Sequence, residues 1–169
     1  MGNGCTKANQ NIYFQCRKQA AVCNDKLNSR ESAADMLGVS VSSLADYELG
    51  NTKVVPVDKV VLMADLYNAP QLLNSYCALE CPIGCRREIP TEVKLLERIT
   101  IGLSDAFSEG KVEKLISNLT HIAVDGEVTD DEKEAMNEIV SFMRKVKVLI
   151  EELELFDDKR KGADNGNSR

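Results

Sequence analysis

The sequence predicts an all-α protein, on two observations. In the first half, short segments with apolar residues three and four positions apart are bounded by residues that commonly cap helices. In the second half, a longer apolar stripe repeats with alternating spacings of three and four, as in a heptad seam, at Met136, Ile139, Met143, Val146, Ile150 and Leu153. We therefore expect an N-terminal helical bundle followed by a C-terminal antiparallel helical hairpin.

Residues 29–50 contain the most informative local pattern, two short helices joined by a turn. Ser29 and Ser40 stand at the predicted starts of these helices, where a hydroxyl oxygen can accept an unpaired backbone N–H. Gly38 and Gly50 stand at the predicted ends, where the chain needs the conformational freedom of glycine. This order of helix, sharp turn and helix is the layout of a helix-turn-helix DNA reader.

The segment resembles the lambda-repressor-like, or Xre-type, helix-turn-helix regulators of bacteria and phages. The resemblance lies in residues 29–34, 37–40, 41–47 and 48–50, which match the family's opening helix, its Leu-Gly-Val-Ser turn, its recognition helix and its closing Glu-x-Gly. It covers about residues 11–76 and implies an N-terminal lambda-repressor-like helix-turn-helix bundle. It further implies a sequence-specific transcription regulator, a repressor, that binds double-stranded DNA as a homodimer on a palindromic operator.

The resemblance also implies roles for individual residues. Side chains facing the bases would be those of Val41, Ser42, Ser43 and Asp46. Phosphate contacts would come from Ser29, Arg30, Asn51, Thr52 and Lys53. Arg17 in the first helix and Glu48 would form a structural ion pair. The chain has Ala33 where the family commonly has Leu, so we expect Leu27 or Leu37 to fill that space.

Charge is distributed unevenly along the chain, which has a net charge of −6. Residues 1–76 contain seven Lys and Arg and seven Asp and Glu, so residues 77–169 carry the whole acidic excess. Because phosphate binding draws on positive charge, we expect modest, strongly salt-sensitive DNA affinity for a single copy and a need for dimerisation. The alternative is a protein-interaction adaptor or antirepressor that uses the same helices to bind another protein.

Residues 91–156 are the candidate dimerisation region. We expect one helix from Thr91 to about Ala123 and a second from Asp130 to about Phe156, forming the hairpin. One apolar row would pack inside the hairpin and the other would meet a partner, unless both close a single intramolecular core. The connecting residues 125–132 resemble half of a calcium-binding EF-hand loop, but a capping box of Thr129 and Glu132 is the interpretation we favour.

Three cysteines, Cys77, Cys81 and Cys85, lie in a predicted linker of residues 77–90. Without a secretory signal, six cysteines in the chain argue against a disulfide framework. Three thiolates with His121 or a fourth cysteine could hold Zn²⁺ or an iron–sulfur cluster, but the spacing departs from the common pairs and buried reduced thiols are the favoured interpretation. We expect no cofactor and, since no catalytic constellation is present, no enzyme activity.

The ends of the chain are expected to lack fixed structure. Residues 1–10 form a predicted flexible arm, whose first six residues satisfy an N-myristoylation pattern that we interpret as coincidence beside a bacterial type of regulator. Residues 157–169, rich in Gly, Asn and charge, form a predicted disordered tail. No apolar run is long enough to span a membrane, so we expect a cytoplasmic protein without membrane contact.

Overall fold

A computed structural model of the chain describes residues 10–124 and 126–166. Within these residues it contains eight α-helices and no strands, which confirms the predicted all-α class. The described chain divides into two compact units, with boundaries after Val93 and after Phe156, and the last segment belongs to the first unit. None of the helices in the described ranges is both long and apolar enough to cross a bilayer.

The first unit is built from five helices. They are α1 (Ile12–Ala20), α2 (Arg30–Leu37), α3 (Val41–Leu49), α4 (Val57–Leu66) and α5 (Gln71–Leu79). Their apolar faces enclose one core, which includes residues from every one of these helices, among them Tyr13, Ala33, Leu44, Met63 and Leu72. A short 3-10 helix, Asp25–Leu27, joins α1 to α2 and buries Leu27. Leu27 and Leu37 are both buried beside the small Ala33, so both residues proposed to fill that space lie in the core.

The predicted linker of residues 77–90 is instead part of the first unit. Its first residues complete α5, and a second 3-10 helix, Gly84–Arg86, follows. The side-chain amide of Asn74 donates to the Pro90 carbonyl oxygen at 2.8 Å, which fastens the end of the segment to α5. This contact binds the segment to the bundle, and the boundary of the first unit falls after Val93.

The second unit contains three helical segments, where the sequence predicted a two-helix hairpin. The helix expected from Thr91 to Ala123 is divided into α6 (Leu96–Ala106) and α7 (Lys111–Ile122). Gly110 has a φ of +79° at the start of α7, a backbone conformation that interrupts a right-handed helix. The third segment belongs to α8 (Lys133–Gly166). A core of Ala106, Leu115, Ile122, Ile139, Phe142 and Leu149 joins these segments.

The beginning of α8 carries half of the predicted capping box. The Glu132 carboxylate accepts the Thr129 backbone N–H at 3.0 Å and the Thr129 hydroxyl at 2.7 Å. Asp125, in the connecting segment, lies outside the described residues. In the parts of the chain that are described, no three His, Cys, Asp or Glu side chains are grouped to hold a metal ion.

The helix α8 corrects the predicted disordered tail over residues 157–166, because it continues through Gly166. Residues 167–169 of that tail lie outside the described residues. Asp157 forms ion pairs with Arg160 at 2.8 Å and with Lys161 at 2.6 Å, spacings of three and four that support a helix. The Lys159 ammonium donates to the Asn68 carbonyl oxygen in the first unit. Composition suggested disorder, but local ion pairs and this contact favour helix. The predicted arm lies outside the described residues except for Gln10.

Candidate functional site

The helix α3 has well-defined ends. Its N-cap Ser40 accepts the Ser43 backbone N–H at 3.0 Å, as a capping hydroxyl does. Gly38 and Gly50, after α2 and α3, have φ values of +61° and +69°, which glycine adopts without the strain other residues incur. The serines and glycines that punctuate residues 29–50 therefore set where both helices begin and end.

Three of the residues proposed to face DNA bases lie on the outward side of α3, where Ser42 and Asp46 are exposed and Ser43 is half-buried. Leu44 and Glu48 on the inward side are fully buried, and Val41, in line with them, is exposed because it stands in the first turn. The Ser40 hydroxyl lies 2.9 Å from that of Ser42 and 2.8 Å from that of Ser43, so the start of the helix carries a linked set of hydroxyls. This side of α3 can offer hydroxyl groups, one carboxylate and a small apolar surface to a partner.

Asp46 is held in place by a residue from the following turn. The Asn51 side-chain amide donates to Asp46 Oδ1 at 3.0 Å, and the Asn51 backbone N–H donates to the Asp46 carbonyl oxygen at 2.9 Å. Asn51, which is proposed to contact phosphate, therefore orients Asp46, which is proposed to contact a base. Thr52 is half-buried and Lys53 is exposed in the same turn, where the Lys53 ammonium reaches solvent.

The inward side of α3 carries a buried ionic cluster centred on Glu48. Arg17 donates through Nε to Glu48 Oε1 at 2.5 Å and through Nη2 to Glu48 Oε2 at 3.0 Å. Arg30 Nε donates to the same Oε2 atom at 2.7 Å. The structure therefore contains the Arg17–Glu48 pair predicted from the resemblance. It also adds Arg30, which the sequence assigned to phosphate contact alone.

Further contacts make this cluster a rigid junction between α1, α2 and α3. Arg17 Nη1 donates to the carbonyl oxygens of Leu27 at 2.8 Å and Asn28 at 3.0 Å, in the connection between α1 and α2. The Phe14 ring lies 5.5 Å from the guanidinium carbon of Arg17 and 6.0 Å from that of Arg30, within cation–π range. The cluster fixes the orientation of α3 against the rest of the bundle.

Ser29, the first of the proposed phosphate contacts, caps α2. Its hydroxyl accepts the Ser32 backbone N–H at 3.1 Å. Ser29 and Arg30 adjoin at the start of α2, while Asn51, Thr52 and Lys53 follow α3. Through the Arg30–Glu48 bond, the start of α2 is tied directly to α3. The DNA roles of all five residues remain predictions.

Sequence reasoning missed Glu80, which connects three parts of the first unit. Its carboxylate accepts the Tyr13 hydroxyl at 2.5 Å and the Val55 backbone N–H at 2.7 Å. Burial, together with the Glu80 carboxylate, raises the pKa of the Tyr13 phenol. The contact spans more than sixty positions along the chain, so no local pattern signals it. It anchors the segment after α3 to the end of α5.

The three cysteines of the predicted linker lie at different places at the end of the first unit. Cys77 is half-buried in α5, Cys81 follows the helix and Cys85 is exposed in the 3-10 helix. All three are free thiols, and within residues 10–124 and 126–166 no three potential ligands of the Cys, His, Asp and Glu types meet. His121 is exposed near the end of α7. The metal alternative raised by the cysteine spacing stays an untested prediction.

The chain matches no protein-family model, no curated protein and no solved structure. The geometry of α1–α5 and the chemistry of α3 are therefore the basis for assigning a function.

Proposed function

We propose that this chain is a lambda-repressor-like helix-turn-helix protein that binds DNA sequence-specifically and represses transcription as a homodimer on a palindromic operator. The observation that carries the proposal is the contrast between the two sides of α3. One side is fixed by the buried Glu48 and its two arginines. The other presents Ser42 and Asp46 to solvent, and Val41 is exposed in the first turn.

In the proposed complex, α3 enters the major groove with its first residues against the base edges. Serine hydroxyls can donate to or accept from a base, a carboxylate can accept from the cytosine amino group, and a valine can contact a thymine methyl group. Asn51 restricts Asp46 and so limits the bases that its carboxylate can reach. These short side chains require close approach, which is favoured by the small size of Ser42 and Ser43.

The positive charge available to phosphates is small but localised. Glu48 neutralises one of the two guanidinium groups that it contacts, so this cluster keeps one net positive charge, and Arg30 is its more exposed arginine. Lys53 adds a second positive charge just after α3. With so few phosphate contacts, a single copy binds weakly and loses affinity steeply as salt rises. Two copies on one operator supply the missing affinity.

A surface in the second unit supports dimerisation. An apolar face in this unit consists of Leu119 on α7 and Met136, Val140, Met143 and Ile150 on α8. Of these five side chains, only Met136 packs against the core of the second unit. Arg144 and Lys147 border it, Lys147 pairs with Glu151 at 2.9 Å one turn further along α8, and Glu154 follows about another turn on. An antiparallel α8 from a second copy would place these acidic residues opposite the basic ones. Such complementarity favours self-association over a random apolar contact.

The test is selection of bound sequences from a random duplex library, at low and at physiological salt. We expect an enriched motif with two related half-sites about 10 base pairs apart, or a multiple of that spacing. With the selected operator, Lys53→Ala should weaken binding several-fold and lower the salt slope by about one. Lys133→Ala, an equally simple removal of an exposed lysine in the second unit, should leave both unchanged.

The second candidate function is that of a protein-interaction adaptor or antirepressor. It is favoured by exposed apolar side chains around α3 and α4, namely Val41, Leu49, Val54, Val57, Val61 and Leu62. Such a surface is more apolar than phosphate contact requires. If selection enriches no motif at either salt while the protein is a folded dimer, DNA binding is rejected and the adaptor function is preferred.

A further inference from the structure

The segment after α5 folds Cys81 and Cys85 into one hydrogen-bonded turn. The Cys85 backbone N–H donates to the Cys81 carbonyl oxygen at 2.9 Å. A turn closed by a bond between residues four apart separates their Cα atoms by about 6 Å. Cα atoms joined by a disulfide are usually about 4.4–6.8 Å apart. These two cysteines therefore meet the Cα criterion for a disulfide. Their Cβ atoms, about 5–6 Å apart in such a turn, must approach to about 3.5–4.5 Å, so the bridge requires the turn to tighten.

The surroundings of Cys81 activate its thiol. Hydrogen bonding from the backbone of Gly84, and then of Ile83, lowers the pKa of the Cys81 thiol, which favours the nucleophilic thiolate. A Cβ atom at Gly84 would lie 2.1 Å from the Cys77 carbonyl oxygen. Only glycine therefore lets this turn pack so closely against α5. Cys81 is partly exposed, so a small reagent can reach it.

The other described cysteines lack this arrangement. Cys77 is also four residues from Cys81, but the Cys81 N–H donates to the Tyr76 carbonyl oxygen, so the helical turn between the two cysteines is broken. Cys16 is buried, and burial raises the pKa of its thiol to about 11, which disfavours the reactive thiolate. Cys23 is exposed and has no cysteine within four positions.

We propose that Cys81 is a site of oxidation by hydroperoxides and that Cys85 is its resolving partner. The Cys81 thiolate attacks the peroxide, an S–O bond forms, the O–O bond breaks, and the departing oxygen takes up a proton as water or alcohol. Cys81 is then a sulfenic acid. The Cys85 sulfur attacks the Cys81 sulfur and forms the S–S bond. The sulfenic oxygen leaves as water, carrying the Cys85 thiol proton.

In this reaction one peroxide is reduced by two electrons, which come from the two thiols. A dithiol reductant reduces the Cys81–Cys85 disulfide by thiol–disulfide exchange and returns both cysteines to free thiols. The Cys81–Cys85 site shares no residue with the proposed DNA contacts on α3, so a test of one proposal does not decide the other. It lies directly beside Glu80, whose carboxylate joins α1 to residue 55.

The experiment treats the full chain with one equivalent of hydrogen peroxide and maps the products by peptide mass spectrometry. In the unaltered chain we expect a bridge between Cys81 and Cys85, seen as the loss of two hydrogens and reversed by dithiothreitol. Cys85→Ser should trap the Cys81 sulfenic acid, which dimedone labels. Cys81→Ser should leave no bridge, and Cys77→Ser, the matched control, should form the bridge as the unaltered chain does.

The rate of labelling provides the decisive comparison within one molecule. In the Cys85→Ser variant treated with peroxide, the dimedone-labelled fraction of Cys81 should rise at least tenfold faster than that of the exposed Cys23, because the Gly84 and Ile83 backbone lowers the pKa of the Cys81 thiol. Equal labelling of the two cysteines overturns the proposal. So does a bridge that is lost in Cys77→Ser, or retention of both thiols after peroxide treatment. Circular dichroism of each variant verifies that it is folded before labelling.

Discussion

Replacing Glu48 with glutamine should destabilise the first unit strongly. Glu48 and Arg17 are almost fully buried, and the carboxylate accepts three hydrogen bonds from two guanidinium groups. Glutamine keeps the shape but removes the negative charge, so Arg17 becomes a buried charge without a counterion. Breaking such a pair costs about 3–5 kcal/mol. The unfolding equilibrium should therefore shift by a factor of a hundred or more, since about 1.4 kcal/mol corresponds to tenfold.

The chain offers a selective assay for this change. It has no tryptophan, and all four tyrosines, Tyr13, Tyr47, Tyr67 and Tyr76, lie in the first unit. Urea unfolding followed by near-ultraviolet circular dichroism of tyrosine therefore reports on that unit alone. Glu48→Gln should lower the urea midpoint markedly with an unchanged slope.

Two further variants make the result interpretable. Arg30→Gln removes one bond to Glu48 from a side chain that is 32% exposed, and it should cost only about 1 kcal/mol. Arg17→Met combined with Glu48→Leu removes both buried charges and should recover much of the lost stability. The reasoning is refuted if Glu48→Gln costs less than about 1 kcal/mol or no more than Arg30→Gln.

Three other perturbations test separate parts of the first unit. Burial raises the pKa of the Cys16 thiol from 9.0 to about 11, so the unfolded chain releases a proton first as pH rises. The contribution of Cys16 to the free energy of unfolding is therefore fully present below about pH 9, and roughly 2–3 kcal/mol of it is lost towards pH 11. Urea unfolding measured at each pH should show a smaller loss for Cys16→Ser. Gly84→Ala places a methyl group 2.1 Å from the Cys77 carbonyl oxygen and should lower the urea midpoint sharply. Lys159→Ala removes the bond to the Asn68 carbonyl oxygen and should cost about 1 kcal/mol in the same assay.

Matched controls separate these effects from general damage. Gly38→Ala introduces a side chain at a φ of +61° with no atom within 4 Å, so it should show only the backbone cost of about 1–2 kcal/mol. A larger loss in Gly38→Ala than in Gly84→Ala would contradict the steric argument. Lys145→Ala breaks an exposed pair with Asp105 in the second unit and should leave the tyrosine transition unchanged. A shift there would show that the tyrosine signal is not specific to the first unit.

Local chemistry explains which parts of the fold could be predicted from the sequence. The ends of α2 and α3 depend on Ser29, Ser40, Gly38 and Gly50, whose capping roles act over three or four residues. Such short-range signals are visible in a sequence. The sequence predicted one helix where α6 and α7 are separate, because apolar spacing continues on both sides of Gly110. A stripe of apolar side chains does not show where the backbone turns.

Long-range contacts explain what the sequence did not predict. Arg30 was assigned to phosphate contact from its position, but its bond to Glu48 depends on how α2 and α3 pack. Glu80 meets Tyr13 across the whole bundle, and no spacing rule connects residues so far apart. The helical end of α8 illustrates the same limit. Its polar composition indicated disorder, while ion pairs of Asp157 and the Lys159 contact with Asn68 favour a helix.

The ionic cluster also bears on how a nearly neutral domain could bind an anionic polymer. One buried carboxylate between two guanidinium groups leaves a net charge of +1, and Arg17 is buried while Arg30 is partly exposed. The excess positive charge is therefore presented at the start of α2 by Arg30. Glu48 and the Phe14 ring already orient this side chain, so little rotamer entropy remains to be lost on binding phosphate. In the proposed function, a well-oriented arginine compensates for the low number of basic residues.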